Sequence, residues 1–227
     1  MQQKPADTQV EIHGIIKTRW SPRAFNPNKQ VSRDDLFALM EAAHWAPSCF
    51  NDQPWRFVVC NKTTDTISWE AALGVIVEKN RRWAKNAPLL ILVVAMDHFN
   101  HNGQPNRWAS YDTGAASVSL CLQATALGMC THQMGGFNTD KAREVFNLPT
   151  DCSPMSMIAV GYEDKVEVLD DDFKEKGSRY FCERFFRASC SKNQQKLHDH
   201  QCLRLPRFVL VTSFRPNKGS KHRFQMT

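Results

Sequence analysis

The segment Pro88–Met96 has no charge and no hydrogen-bonding side chain, and it constrains the fold more than any other part of the chain. It is too short to cross a bilayer. Its apolar residues do not alternate with polar ones, so as a strand it must be covered on both faces. The rest of the chain supplies that cover. Ser32 is placed to cap a helix, with Asp35 three residues on. Leu36, Phe37, Leu39, Met40 and Ala43 then recur at helical spacing until Pro47 stops them.

Further helices are expected over 12–17, over 64–85 with an interruption, over 111–127 and over 139–146, the last capped by Asn138 or Thr139. The third of these is rich in small residues (Gly114, Ala115, Ala116, Ala124, Ala126), which allow close approach of another backbone, and Gly128 closes it. Strands are expected over 56–60 and 155–161, a loop over 97–107, and an extended or turning stretch at 18–25, where Pro22 and Pro27 bar a helix. Helices and non-adjacent strands in this mixture make an α+β sandwich, a sheet with helices on both faces.

At 227 residues and 42% hydrophobic content, the chain can bury one core, or a main domain plus an appendage. Residues 1–19 carry charged and polar residues throughout and show no apolar signal segment, so a soluble cytoplasmic protein that does not engage a membrane is expected. Cys49, Cys60, Cys121, Cys130 and Cys152 lie singly in apolar surroundings, as buried free thiols do, and no C-x-x-C pair suggests zinc or a thioredoxin-type site.

The net charge of +6 conceals a division. Residues 1–173 hold 16 Lys/Arg against 20 Asp/Glu, and residues 174–227 hold 13 against 3. The chain therefore divides into a domain at 1–173 and a basic C-terminal segment at 174–227.

Four clusters carry chemistry. In Thr18-Arg19-Trp20-Ser21-Pro22-Arg23-Ala24-Phe25, the alternating Arg19, Ser21 and Arg23 would point one way in an extended chain and present two guanidiniums and a hydroxyl to an anion. The stretch Ala46 to Phe57 ends a helix in a loop dense in amides and hydroxyls. There Ser48, Asn51 and Gln53 can read the donor and acceptor edge of a heterocycle, while Trp55 is equally a core plug. Tyr111-Asp112-Thr113-Gly114 opens the small-residue helix. Gly135 and Gly136 let backbone N–H groups approach a planar ligand, although paired glycines also make plain turns. His132 beside them reads as a structural histidine rather than a proton donor.

Taken in order, these clusters resemble the nitroreductase family. Its pattern runs R-x-S-x-R-x-F, A-P-S-x-x-N-x-Q-P-W-x-F, D-x-G-A-A with a helix ending L-G, then G-G-F and A-x-G-Y, and the likeness extends over about residues 12–165. The resemblance implies a three-layer sandwich with a central, mostly antiparallel sheet, and a homodimer with two FMN sites at its interface, each lined by both chains. It implies FMN as cofactor and NADH or NADPH as reductant. Arg19, Trp20, Ser21 and Arg23 would lie on the phosphate and pyrimidine side, Pro47, Ser48, Asn51 and Gln53 at the ring, and Gly135 and Gly136 near N5, with no side-chain nucleophile. The activity implied is ping-pong transfer of hydride from NAD(P)H to a small electron-poor acceptor: a nitroaromatic, a quinone or a conjugated carbonyl.

The sequence departs from the family pattern where a basic R-K-P-L segment is expected to return to the phosphate. Arg179 is the candidate anchor there, and no R-K-P follows. The segment 174–227 therefore reads as frame-altered or as an unrelated extension. Its Cys190, His198, His200 and Cys202 do not match zinc spacing, and its Lys/Arg excess lacks a nucleic-acid-binding module, so neither metal nor nucleic acid is expected. The rival reading is a catalytically impaired flavin-fold protein that binds or interacts through a basic tail.

Overall fold

The structure is a computed structural model and describes residues 5–174. Arg179 and the other tail residues named above lie outside the described residues. Four strands, β1 (Trp55–Asn61), β2 (Leu89–Met96), β3 (Cys130–Met134) and β4 (Cys152–Gly161), form one antiparallel sheet in the order β1-β2-β4-β3. The apolar run is β2, an inner strand buried along seven of its eight residues. Each fully buried leucine or isoleucine there contributes roughly 1.5–3 kcal/mol.

The period of two in β2 sorts its side chains. Leu89, Ile91 and Val93 join a core with α2 (Arg33–His44) and α5 (Ala109–Ala126), through Leu39, Ala43, Ala116 and Leu120. Leu90, Leu92 and Val94 join a second core with α3 (Thr66–Val75), α4 (Glu78–Ala84) and α6 (Thr139–Val145), through Trp69, Ala72, Trp83 and Ala142. This is the three-layer sandwich. Two short helices frame it, α1 (Gly14–Thr18) and α7 (Asp171–Lys174).

Local signals set most boundaries. Ser32 Oγ accepts the Asp35 N–H at 3.0 Å to start α2, and Asn138 rather than Thr139 caps α6 by accepting the Lys141 N–H at 2.8 Å. Gly128 ends α5 in the left-handed region at φ 71°.

Three boundaries were set by contacts the local sequence does not show. The helix expected over 64–85 is broken at Ile76 and Val77. There the chain turns extended so that Ile76 can bridge Phe137 and the Val77 N–H can reach the Gly136 carbonyl at 3.1 Å. β4 begins at Cys152, earlier than expected, because a shift of register between Val93 and Val94 passes over Met155 and lets the strand continue through Pro154, which has no N–H to give. β3 carried no expectation at all, since Cys130-Thr131-His132-Gln133-Met134 has no clean alternation.

Among the described residues, no helix is long and apolar enough to cross a membrane.

Candidate functional site

Helix α1 stops at Arg19, whose backbone is extended (φ −66°, ψ 121°), because Pro22 follows three residues later. The chain then runs beside β3. His132 Nδ1 lies 2.9 Å from the Pro22 carbonyl, and its ring packs on Trp83 at 4.5 Å. Beyond Pro22, Ala24 and Phe25 are buried, Phe25 stacks on Trp83 at 6.1 Å, and the Asn26 and Asp164 N–H groups tie the segment to the end of β4. Residues 19–21 are thus held from below while their polar ends stay at the surface.

Arg19 Nη1 donates to Ser21 Oγ at 3.3 Å, so these two side chains meet, with Trp20 half-buried between them. Arg23 lies near α7. Its guanidinium stands 6.0 Å from the Phe173 ring, which also carries Arg82 at 5.1 Å, and Arg82 is gripped by Asp170 and Asp172 at 2.7 and 3.0 Å. Of the three alternating residues, Arg19 and Ser21 are hydrogen-bonded to each other, and Arg23 has the aromatic face of Phe173 beside it.

Burial on β3 pushes the His132 pKa down to about 4. The Pro22 carbonyl opposes the shift and the nearby Arg23 charge adds to it, so the ring is neutral at ordinary pH. Burial likewise pushes the Cys60 thiol up to about 12, and raises Cys121 and Cys130, which makes these thiols poor nucleophiles.

At the end of β3, Gly135 and Gly136 differ. A Cβ on Gly136 would lie 2.7 Å from Asn80 Nδ2 and 3.0 Å from Val77 Cγ2, so the start of α4 presses on that residue. A Cβ on Gly135 would meet nothing within 4 Å, and the residue is exposed. Gly135 therefore leaves open backbone at the end of β3, the strand that His132 ties to Pro22. A half-buried guanidinium bonded to an exposed hydroxyl, on a segment tied to the strand that ends in an uncovered glycine, suits a phosphorylated planar heterocycle, and the donor set fits FMN on those grounds.

The second cluster sits elsewhere. After α2, Pro47 is exposed and Ser48 Oγ accepts the Gln53 N–H at 3.0 Å. A 3-10 turn at Cys49–Asn51 follows, and Gln53 Nε2 donates to Asn51 Oδ1 at 3.0 Å. Phe50, Asn51 and Gln53 all take positive φ (54°, 54° and 51°), a cost of about 1–2 kcal/mol per non-glycine residue. The loop is over-determined to hold that shape. The Cys49 N–H donates to Asp112 Oδ2 at 2.9 Å, and Arg56 Nη1 donates to the Gln53 and Trp55 carbonyls at 3.0 and 2.7 Å. Trp55 itself is a core residue.

This loop leads into β1, on the sheet edge opposite β3. Three strand spacings separate the two edges, about 14 Å. Two half-sites therefore stand on opposite edges of one chain. Two residues with clear structural parts carried no individual role in the sequence: Asn80, which packs against Gly136, and Asp112, which holds Cys49. Asp112 was signalled by its place, since it is the one charged residue of its helix and stands in the first turn.

The Nitroreductase family model matches residues 16–162. The chain belongs to the nitroreductase family. Within it, protein DrgA of Synechocystis is 30% identical over 177 residues, spanning 67% of this chain and 84% of its own length. A solved structure described as an oxidoreductase containing FMN has a TM-score of 0.72 at 33% identity, covering 82% of this chain and 99% of its own. The major NAD(P)H-flavin oxidoreductase of Aliivibrio fischeri is 39% identical over 52 residues, 23% of either chain. This nitroreductase-family chain thus shares its fold with an FMN protein along nearly the whole of that protein's length.

Proposed function

We propose that this chain is an NAD(P)H-dependent FMN oxidoreductase that works as a homodimer on small electron-poor acceptors such as nitroaromatics, quinones or conjugated carbonyls. The observation that carries the reading is the Arg19–Ser21 pair on a segment tied through Pro22 and His132 to β3, the strand that ends in the open backbone of Gly135, within a nitroreductase-family sandwich. Bound FMN supplies the redox chemistry, taking a hydride from the nicotinamide and passing reducing equivalents to the acceptor by turns.

The protein's share is position and exclusion of water. Arg19 and Ser21 hold the phosphate, and the Gly135 backbone lies against the ring without a Cβ in the way. Ser48, Asn51 and Gln53 present fixed hydroxyl and amide groups to the ring edge. His132 acts by fixing Pro22, and takes no part in proton transfer.

The separation of the half-sites supports the dimer, since a second copy can bring the loop at 48–53 to the β3 edge of the first. The outer surface of α2 and α5 supports it too. Phe37, Trp45, Tyr111 and Val118 are exposed there, and Gly114 has open space where a side chain would be. Apolar surface of this kind is what an isologous interface covers. Free thiols at Cys60, Cys121, Cys130 and Cys152 fit a reducing compartment, the cytoplasm.

The test is the visible spectrum of the full-length protein before and after anaerobic addition of NADH or NADPH. A flavin band that bleaches with nicotinamide is expected, and Arg19→Ala should lower flavin retention. A colourless protein that added FMN does not restore would overturn the proposal in favour of a catalytically impaired binding protein.

A further inference from the structure

The loop at 48–53 carries an aromatic group that none of the roles above uses. Phe50 is 76% exposed and held at positive φ, so its ring projects from a backbone shape that a bulky residue rarely adopts. Two rings brace it without covering it. Phe99 stands at 5.8 Å with planes 74° apart, and His101 at 5.4 Å with planes 64° apart. Phe99 is itself buried and contacts His101 at 5.2 Å and Trp108 at 6.2 Å, which roots the group in the chain between β2 and α5. The result is a shelf of aromatic surface next to Asn51.

One side of the shelf is polar by construction. The Asp52 side chain is 2% exposed; its Oδ1 accepts the Asn100 N–H at 2.8 Å, and its Oδ2 has no hydrogen-bond partner. His101 Nδ1 lies 3.9 Å from Oδ1, and its side chain is 49% exposed. An acid so buried, with one oxygen unpartnered, makes this side of the shelf polar. With its Nδ1 edge 3.9 Å from Asp52, the half-exposed ring of His101 carries Nε2 at its far edge, where an Nε2–H can donate to a ligand.

We propose that Phe50, Phe99 and His101 form a binding shelf for a flat aromatic acceptor that bears a carbonyl-type oxygen, with Phe50 stacking on the ring system and His101 donating to the oxygen. The proposal rests on the oxidoreductase reading, because the shelf adjoins the loop assigned to the FMN ring, and it narrows the acceptors named there to polycyclic or aryl carbonyl compounds. Offset stacking rewards the flat ring, and the histidine rewards the oxygen.

Two probes separate these contributions: anthraquinone-2-sulfonate and anthracene-2-sulfonate, which differ only in the two carbonyl oxygens. Their dissociation constants are measured by calorimetry on the purified full-length protein without nicotinamide, so that nothing is turned over. Phe50→Ala should weaken both probes about tenfold. His101→Phe, which keeps a ring at that place, should weaken the quinone about fivefold and leave the anthracene unchanged.

The proposal is overturned if Phe50→Ala leaves both constants as they were. It is overturned equally if His101→Phe affects the two probes alike, or if Phe50→Ala dissolves the dimer with no loss of probe binding, since Phe50 would then be covered by a second copy. Flavin content is read from the spectrum of each variant. A protein without FMN that still shows the expected pattern sinks the oxidoreductase reading and keeps the shelf. An FMN-loaded protein lacking the pattern does the reverse.

Discussion

Residues 19–23 and residues 48–53 offer similar polar groups at opposite edges of the same sheet, yet the chain fixes them by different means. The first segment is held by what lies beneath it: Phe25 stacked on Trp83, Pro22 on His132, and Ala24 tied to Asp164. Its backbone takes ordinary angles, and its shape is inherited from the core. The second is held within itself and by one buried acid, through Ser48 to Gln53, Asn51 to Gln53 and Asp112 to Cys49, over a backbone with three non-glycine residues at positive φ. A polar site can thus be made rigid by packing under it or by hydrogen bonds around it, and the two halves should fail in different ways.

The largest expected effect removes the packing. Phe25→Ala deletes a ring that is fully buried, which should lower stability by about 3–5 kcal/mol in urea denaturation. Flavin retention should fall with it, because the support of Arg19 and Ser21 is lost. If stability fell by that amount and flavin stayed bound in the residual native protein, the first segment would not depend on its packing, and the contrast between the halves would be wrong.

That contrast also explains what the sequence let one read. Leu89–Met96 was legible as a doubly covered strand because its signal is local and complete. The caps at Ser32 and the stop at Gly128 were legible for the same reason. β3 was not, because an edge strand in which His132 faces Trp83 while Gln133 is exposed has no pattern apart from the elements that cover it. The break between α3 and α4 has its cause some sixty residues away, at Gly136 and Phe137.

In the site, the polar residues of the loop were legible as a motif because their bonds are to one another. The neighbour of Arg23 was not: Phe173 comes from α7, more than a hundred residues downstream. The role of Asp112 depends likewise on a loop about sixty residues before it. Motifs reveal which residues matter; which of them meet is decided by the tertiary packing.

A second, smaller effect separates the halves by pH. His132 titrates near 6.5 in the unfolded chain, but burial holds it neutral down to about 4 in the folded one. Between those values the unfolded state binds the extra proton, so stability is full above pH 6.5 and declines as pH falls towards 4. The decline is at most about 1.4 kcal/mol per unit, or roughly 2 kcal/mol between pH 6.5 and 5. His132→Gln keeps an N–H for the Pro22 carbonyl and removes the titration. Urea melts at pH 7 and pH 5 should therefore show the variant losing roughly 2 kcal/mol less than the parent. Equal losses in the two proteins would mean that the buried histidine is not what couples the first segment to pH.

The smallest effect differs in sign between the halves, which makes it the sharpest. At Gln53, φ is 51°, and relieving that conformation with glycine recovers about 1–2 kcal/mol. Against this, glycine costs about 0.5–1 kcal/mol of backbone entropy on folding. The exposed bond from Gln53 Nε2 to Asn51 is also lost, but water replaces it at little cost. Gln53→Gly should therefore raise stability slightly, by about half a kcal/mol. Ser21 is not among the positive-φ residues, so Ser21→Gly bears the entropic cost with nothing to relieve and should lower stability by about 0.5–1 kcal/mol. Denaturant midpoints of the two variants, measured side by side, should move in opposite directions. Movement in the same direction would show that the loop at 48–53 stores no usable backbone strain, and that both halves are held by packing after all.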